Sequence, residues 1–256
     1  MLQTTETRGV RTHMDLLRSP GVTVARLTLA SYLRSGWMWG EFVLVLVFLA
    51  ALYFPYEQSV AFFNDSALIF LAALAVLGPA SMVRQATSAR TYLLLARLTS
   101  RAAYSRGLML AAALMRAVLY AFLLALVLLL HRLNDVSVEM LFWGAVGIIP
   151  VTLLAAIVTV GLCSPIATRL KRIYFLAWVA LVLFSFKPVI AIPPWLETIL
   201  SVSQLPLWPV SECYTLSATG NFDLLSLSGL SLIAVYCILI ALVAGYWLEK
   251  RDLLLH

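Results

Sequence analysis

Residues 107–130, GLMLAAALMRAVLYAFLLALVLLL, decide the fold class of this chain. The stretch contains a single charged residue, Arg116, and it is as long as an α-helix must be to cross the hydrocarbon core of a membrane. Similar apolar blocks recur along the sequence, which is 62% hydrophobic and only 12% charged. Soluble domains carry about a quarter charged residues. The sequence therefore predicts an all-α integral membrane protein.

Six blocks of this kind predict six transmembrane helices in one domain. The predicted spans are 38–56, 66–83, 107–130, 140–162, 173–192 and 228–248. A further short helix at 21–36 precedes them. We expect it to lie along the membrane surface, because Trp37 and Trp39 follow at the depth of interfacial anchors. The single domain, 1–256, thus has four parts: a tail 1–20, an interfacial helix 21–36, the spans within 37–248 and a tail 249–256.

Basic residues are distributed unequally between the two sides of the predicted membrane. Of the 18 lysines and arginines, 15 fall in the tails and loops on the side of the N-terminus, and the loops of the other side hold Arg132 alone. Cytoplasmic loops are the ones enriched in lysine and arginine. We therefore expect a multi-pass protein of the cell membrane (the plasma or inner membrane) with both termini in the cytoplasm. The asymmetry also explains the net charge of +6 without nucleic acid as a partner.

The longest outer connection, 193–227, is apolar and contains four prolines. One interpretation is a pair of short re-entrant or outer helices that dip part of the way into the membrane before the last span. The other is a surface loop that carries an aromatic belt. Irregular backbone at membrane depth is tolerated only where protein or a water-filled cavity covers it.

The inner connection between the second and third spans is strongly basic. Residues 84–107, RQATSARTYLLLARLTSRAAYSRG, contain five arginines and no acid. If the segment is helical, Arg90, Arg97 and Arg101 fall within an arc of about 40°. Lipid phosphate is one partner that suits such a face.

Motifs that would indicate catalysis are missing from the sequence. It contains no GxxxxGK[ST], HExxH or GxSxG sequence, and its three histidines lie in tails or loops on opposite sides of the membrane. We therefore predict no catalytic residue, no metal site and no ATP site in this chain.

Two ionisable side chains lie inside predicted spans. Glu41 is near the inner end of the first span, and Arg116 is about ten residues into the third. Charges at that depth are costly and usually paired or turned towards a cavity. Because both residues belong to the inner half, they are a candidate ion pair. In the alternative interpretation, Glu41 reaches the interface and Arg116 snorkels or meets lipid phosphate.

Three local motifs, in a consistent order, resemble one family. ARTYLLLARLTSRAAYSRG follows the second span, PPWL with a later PL precedes the last span, and EKRD follows it. Permease subunits of the type-2 ABC exporters carry a stretch like GT-x-E-x-L-L-x-x-P-x-S-R-x-x-Y-x-x-G-K after the second span, a P-P-W-L…P-L stretch before the last and a basic-acidic end. With the surface helix and six spans, the chain resembles such a permease over about residues 21–252.

The resemblance rests on individual positions and has two departures. The matched residues are Thr91, Leu93, Leu94, Ser100, Arg101, Tyr104, Gly107, Pro193, Pro194, Trp195, Leu196, Pro206 and Leu207. The family's acidic residue near the start of the first motif is missing, since Gln85 and Ala89 stand nearby. Leu98 stands where the family usually has proline.

The resemblance implies a transport subunit that is not itself an enzyme. A separate cytoplasmic ABC ATPase would supply ATP and Mg²⁺, so this chain would need no cofactor of its own. The loop after the second span would be a coupling helix whose contacts with the ATPase are made by Arg90, Thr91, Leu94, Arg97, Ser100 and Arg101.

Six spans make half of a translocation pathway, so we expect a dimer with a second copy or a related permease, surrounded by membrane lipid. The apolar spans suit a hydrophobic or amphipathic cargo. The alternative function is an ATPase-independent membrane assembly or channel subunit.

Overall fold

The structure is a computed structural model. It describes residues 20–54, 56–86, 101–134, 136–162 and 204–250, and nearly all of these residues are helical. In chain order the elements are α1 Pro20–Leu33, α2 Gly36–Tyr53, β1 Gln58–Ser59, α3 Val60–Ala86, α4 Arg101–Leu129, β2 Leu133–Asn134, α5 Val138–Leu162, a 3₁₀ turn Leu205–Leu207, α6 Trp208–Thr219 and α7 Leu224–Lys250.

Within the described ranges, five helices are long and apolar enough to cross a membrane. They are α2, α3, α4, α5 and α7. They correspond to the first, second, third, fourth and sixth predicted spans, and the predicted fifth span, 173–192, lies outside the described residues. The prediction of an all-α, membrane-embedded protein is confirmed at this level.

Several helix boundaries differ from the predicted ones because tertiary packing extends the helices. Helix α4 starts at Arg101 instead of residue 107, and its added first turns bury Ala103 and Tyr104. Helix α3 starts at Val60 instead of residue 66. The interfacial helix ends at Leu33, so the tryptophans at 37 and 39 lie in the first turn of α2.

Helix α1 packs along the first turns of α4. The two backbones approach closely at Gly107, where a Cβ atom would lie 2.6 Å from the Gly21 carbonyl oxygen and 2.7 Å from the Val24 side chain. Val24, Ala25 and Tyr32 form the buried side of α1. Whatever its relation to a membrane surface, α1 is therefore part of the helix bundle.

The long helices share two ends, which differ in charge. We call the end that holds α1 and the start of α4 the basic end, because Arg26, Arg34 and Arg106 are exposed there. We call the other end, which holds α6, the acidic end. Its acidic residues are Glu57, Asp65, Glu139, Glu212 and Asp223.

At the acidic end, two inter-helix links are joined by a short pair of strands. Strand β1, in the α2–α3 link, pairs in parallel with β2, in the α4–α5 link, with Gln58 opposite Leu133. The Arg132 guanidinium carbon lies 5.2 Å from the centre of the Phe54 ring, which is a cation–π geometry. These contacts hold the two links together.

Helix α6 lies between the acidic-end parts of α3, α5 and α7. A Cβ atom at Gly147 of α5 would lie 2.5 Å from the Cys213 carbonyl oxygen, and one at Gly229 of α7 would lie 2.9 Å from Cβ of Glu212. At its end, Gly220 takes a left-handed conformation with a φ of 70°. Within the outer connection 193–227, α6 is therefore a helix packed on the bundle. The interpretation as a surface loop does not fit this part.

Asn64 joins α6 to the bundle. This fully buried side chain of α3 donates from Nδ2 to the Ser217 carbonyl oxygen at 2.8 Å and to the Met140 carbonyl oxygen at 3.4 Å. The side chain fits because Gly144 of α5 has no Cβ where the Asn64 amide lies.

Replacing Asn64 by alanine is expected to lower the free energy of unfolding by about 1–3 kcal/mol, because the buried Ser217 carbonyl oxygen and the part-buried Met140 carbonyl oxygen lose a donor. Thermal unfolding of the detergent-solubilised protein measures the change. The matched control is Asn221→Ala, since Asn221 is exposed and its bond to Thr219 uses the backbone N–H. Equal effects of the two substitutions would show that the Asn64 bonds do not stabilise the fold.

Candidate functional site

Glu41 of α2 and Arg116 of α4 form a salt bridge inside the bundle. Arg116 Nη2 donates to Glu41 Oε1 at 2.6 Å and to Oε2 at 2.7 Å. The side chains are 0% exposed for Arg116 and 6% exposed for Glu41. The alternative interpretation from the sequence, in which the two residues reach the interface separately, does not match this geometry.

The same arginine also bonds the third helix of the site. Arg116 Nη1 donates to the Leu74 carbonyl oxygen of α3 at 2.9 Å. Pro79 lies five residues further along α3 and has no N–H, so it removes the helical bond to the Ala75 carbonyl. The guanidinium therefore contacts α3 next to the place where its hydrogen-bond ladder is interrupted.

Gly78 makes room for the ion pair. A side chain there would overlap Glu41 Oε1 and the Arg116 guanidinium, as a Cβ built on its backbone shows. The only substituent that fits at this position is hydrogen. Ser81, one turn on, donates its hydroxyl to the Gly78 carbonyl oxygen at 2.7 Å. Helix α3 thus presents bare backbone to the charges.

Tyr32 brings α1 to the same site. Its side chain is buried, and its hydroxyl lies beside the Glu41 carboxylate and the Ser81 hydroxyl. Burial, followed by the negative charge of Glu41, raises the pKa of the Tyr32 hydroxyl to about 12. The phenol therefore stays protonated at physiological pH and remains a hydrogen-bond donor.

The site thus connects four helices through one buried pair of opposite charges. Such a pair is costly to form, because both ions leave water, and it is retained when further hydrogen bonds satisfy the charged groups. Here the bond to Leu74 does so in part, since Arg116 Nε has no hydrogen-bond partner within the described ranges. In a membrane the cost makes buried charges typical of functional positions. This arrangement can hold the four helices in fixed positions relative to one another. Exchanging one of the hydrogen bonds of the ion pair would change those positions.

Metal-ligand clusters and cysteine thiols are the other groups to consider among the described residues. No group of three or more histidine, cysteine, aspartate or glutamate side chains that could bind a metal ion occurs in the described ranges. Burial raises the pKa of the Cys213 thiol to about 12, so this buried cysteine is not an activated nucleophile.

The predicted contacts with an ATPase fall mostly outside the described residues. Arg90, Thr91, Leu94, Arg97 and Ser100 belong to 87–100, which the structure does not describe. Arg101 is the first residue of α4, so it belongs to a long helix. The ends of α3 and α4, at Ala86 and Arg101, border the segment.

Sequence reasoning identified the charged pair but not the groups around it. Gly78, Leu74 and Tyr32 were not predicted as site residues. The Gly-Pro step inside the second span was the available signal for Gly78, because such a step in a helix often has a packing role. Nothing in the sequence distinguishes the Leu74 carbonyl from its neighbours.

Comparison of this chain with protein-family profiles, with curated protein sequences and with solved structures gives no match.

Proposed function

We propose that this chain is the membrane-spanning permease subunit of an ATP-driven exporter of the type-2 ABC class. Two such subunits would form the translocation pathway, and a separate ATPase would bind at the basic end. The resemblance of the motifs and their order supports the family. The apolar helices, which are typical of a membrane-embedded protein, are consistent with it.

The observation that carries the proposal is the position of the ion pair relative to residues 87–100. The helices on both sides of that segment hold the pair: α3 through Leu74 and Gly78, and α4 through Arg116. Arg116 lies 15 residues after the start of α4, or about 22 Å along the helix. A force on the segment would therefore reach the interior of the bundle through α4 and, past the interrupted hydrogen-bond ladder at Pro79, through α3.

The orientation follows from the same proposal. The basic end faces the cytoplasm, where the ATPase binds, and both termini lie on that side of the cell membrane. Helix α6 then lies on the outer side and dips among α3, α5 and α7. The six-span layout is completed by 173–192 as the fifth span. The exposed surfaces of α2 and α7 are largely apolar, which suits lipid, a second permease and a hydrophobic or amphipathic cargo.

Co-purification tests the proposal. The tagged chain is purified from its native cell in mild detergent, and bound ATPase is measured by ATP hydrolysis. We expect an ATPase to be retained. The arginines suit an acidic groove on the ATPase. The charge reversal Arg90→Glu/Arg97→Glu/Arg101→Glu would place negative charges against that groove, and like charges at an interface cost several kcal/mol, so the retained ATPase should fall at least about tenfold.

The control reverses the same number of charges outside the segment. Arg26→Glu/Arg34→Glu/Arg106→Glu changes exposed arginines at the basic end that the resemblance does not place in the ATPase contact, so it should lower the retained ATPase much less than the first triple variant. If no ATPase accompanies the unchanged chain, the proposal fails and the ATPase-independent assembly or channel subunit is favoured. Equal retention by both triple variants would refute the coupling role of residues 87–100.

A further inference from the structure

Tyr32 occupies an unusual position for a residue near the end of a helix. Its side chain is 1% exposed, while its neighbours Ser31 and Leu33 are exposed. The Ser35 hydroxyl and the Ser35 N–H both donate to the Tyr32 carbonyl oxygen, at 2.7 Å and 3.0 Å, and close the helix at this point. The tyrosine is therefore the last firmly held residue of α1, and it points into the ion-pair site.

The hydroxyl of Tyr32 is close to two acceptors, the Glu41 carboxylate and the Ser81 hydroxyl. It lies beside Glu41, but among the described residues it completes no hydrogen bond. Buried polar groups without a partner are rare and unfavourable. Each Glu41 oxygen accepts one bond from Arg116 and retains a lone pair for another.

This geometry allows α1 a second position beside the one that the structure shows. In one, which the structure shows, the hydroxyl is next to the carboxylate without a bond. In the other, a small movement of α1 would complete an O–H···O bond from Tyr32 to Glu41. The contact with Gly107 holds the beginning of α1 on α4, so a change at the ion pair would act on α1 through the end that carries Tyr32.

We infer that Tyr32 is a positioning residue that couples the position of α1 to the Glu41–Arg116 ion pair. A movement of α1 changes the hydrogen bonding of the carboxylate, and a change at the carboxylate moves α1. Because Glu41 and Arg116 also hold α2, α3 and α4, the coupling reaches the whole site. The inference concerns this chain alone and holds whether or not an ATPase binds.

Distance measurement between two spin labels tests the coupling. The labels are placed at Ser31→Cys in α1 and Leu129→Cys at the far end of α4, both exposed, in the full-length chain with its native cysteines replaced by alanine. Glu41→Gln should change the mean or the width of the label–label distance by about 1–2 Å. In Tyr32→Phe protein, the same Glu41→Gln substitution should leave the distance unchanged.

Tyr120→Phe is the matched control. Tyr120 is 3% exposed and its hydroxyl also lacks a partner within the described residues, but it lies on α4 and not on α1. The response to Glu41→Gln should persist in this variant. If Glu41→Gln does not yield folded protein, Glu41→Asp retains the charge, withdraws the carboxylate and serves in the same comparison.

Two results would overturn the inference. One is a Glu41 substitution that changes the distance equally with tyrosine or phenylalanine at position 32. The other is a Glu41 substitution that leaves α1 in place while Tyr32 is present. Because no ATPase takes part in this measurement, either result leaves the co-purification test of the proposed function unaffected.

Discussion

Replacing Glu41 by glutamine is expected to lower the free energy of unfolding by about 3–5 kcal/mol. The substitution keeps the size of the side chain but leaves the guanidinium of Arg116, which is fully buried, without its counter-charge. Removing one partner of a buried ion pair is strongly destabilising because the remaining charge is uncompensated. Denaturant or thermal unfolding of the detergent-solubilised protein measures the loss.

A double-mutant cycle separates the pair from other effects of each residue. Arg116→Met alone should also be destabilising, because it removes the bond to Leu74 and leaves the Glu41 carboxylate buried. The double variant Glu41→Gln/Arg116→Met should lose less than the sum of the two single losses, with an interaction energy of about 1–3 kcal/mol. Additive losses would show that the two charges do not stabilise one another.

Replacing Gly78 by alanine is the second substitution with a large expected effect. A methyl group at this position overlaps both charged groups of the pair, so the guanidinium and the carboxylate must separate or α3 must move away. Overpacking of a close-packed interior costs about 1–3 kcal/mol, and the disturbed ion pair adds to it. We expect a loss of about 2–4 kcal/mol in the same unfolding assay.

Gly40→Ala is the control for this prediction. Gly40 precedes Glu41 in α2, and a Cβ added to it meets nothing within 4 Å. Alanine is the better helix former, so this change should be neutral or stabilising by up to about 1 kcal/mol. Stability that is unaltered by Gly78→Ala would mean that α3 does not approach the pair as closely as the structure indicates.

The depth of charges along the sequence made Glu41 and Arg116 a candidate pair beside the alternative of two separate charges, and it gave nothing of the surroundings of the salt bridge that the structure shows. Hydrophobic periodicity identifies which residues avoid water, and a charge inside an apolar block needs a partner at the same level. Periodicity does not say which helices are neighbours. For that reason the contact of Gly78 with both charges, and the bond to the Leu74 carbonyl, became evident only in three dimensions.

Helix α1 shows the same limit. The sequence indicated a short helix anchored by tryptophans, and its apolar residues were assigned to a membrane surface. In the structure Val24, Ala25 and Tyr32 are buried against the bundle. The apolar residues along a helix follow the same spacing whether lipid or protein covers them, so the sequence cannot distinguish the two environments.

The strand pair at the acidic end would make a tilt of the long helices act as a lever. By pairing Gln58 with Leu133 and Ser59 with Asn134, it fixes the links of two helical hairpins to one another and so defines a pivot. Helix α3 extends about 40 Å from that pivot, so a tilt of about 3° displaces its far end by about 2 Å. A small tilt about the strand pair would therefore displace the basic end far more than the acidic end.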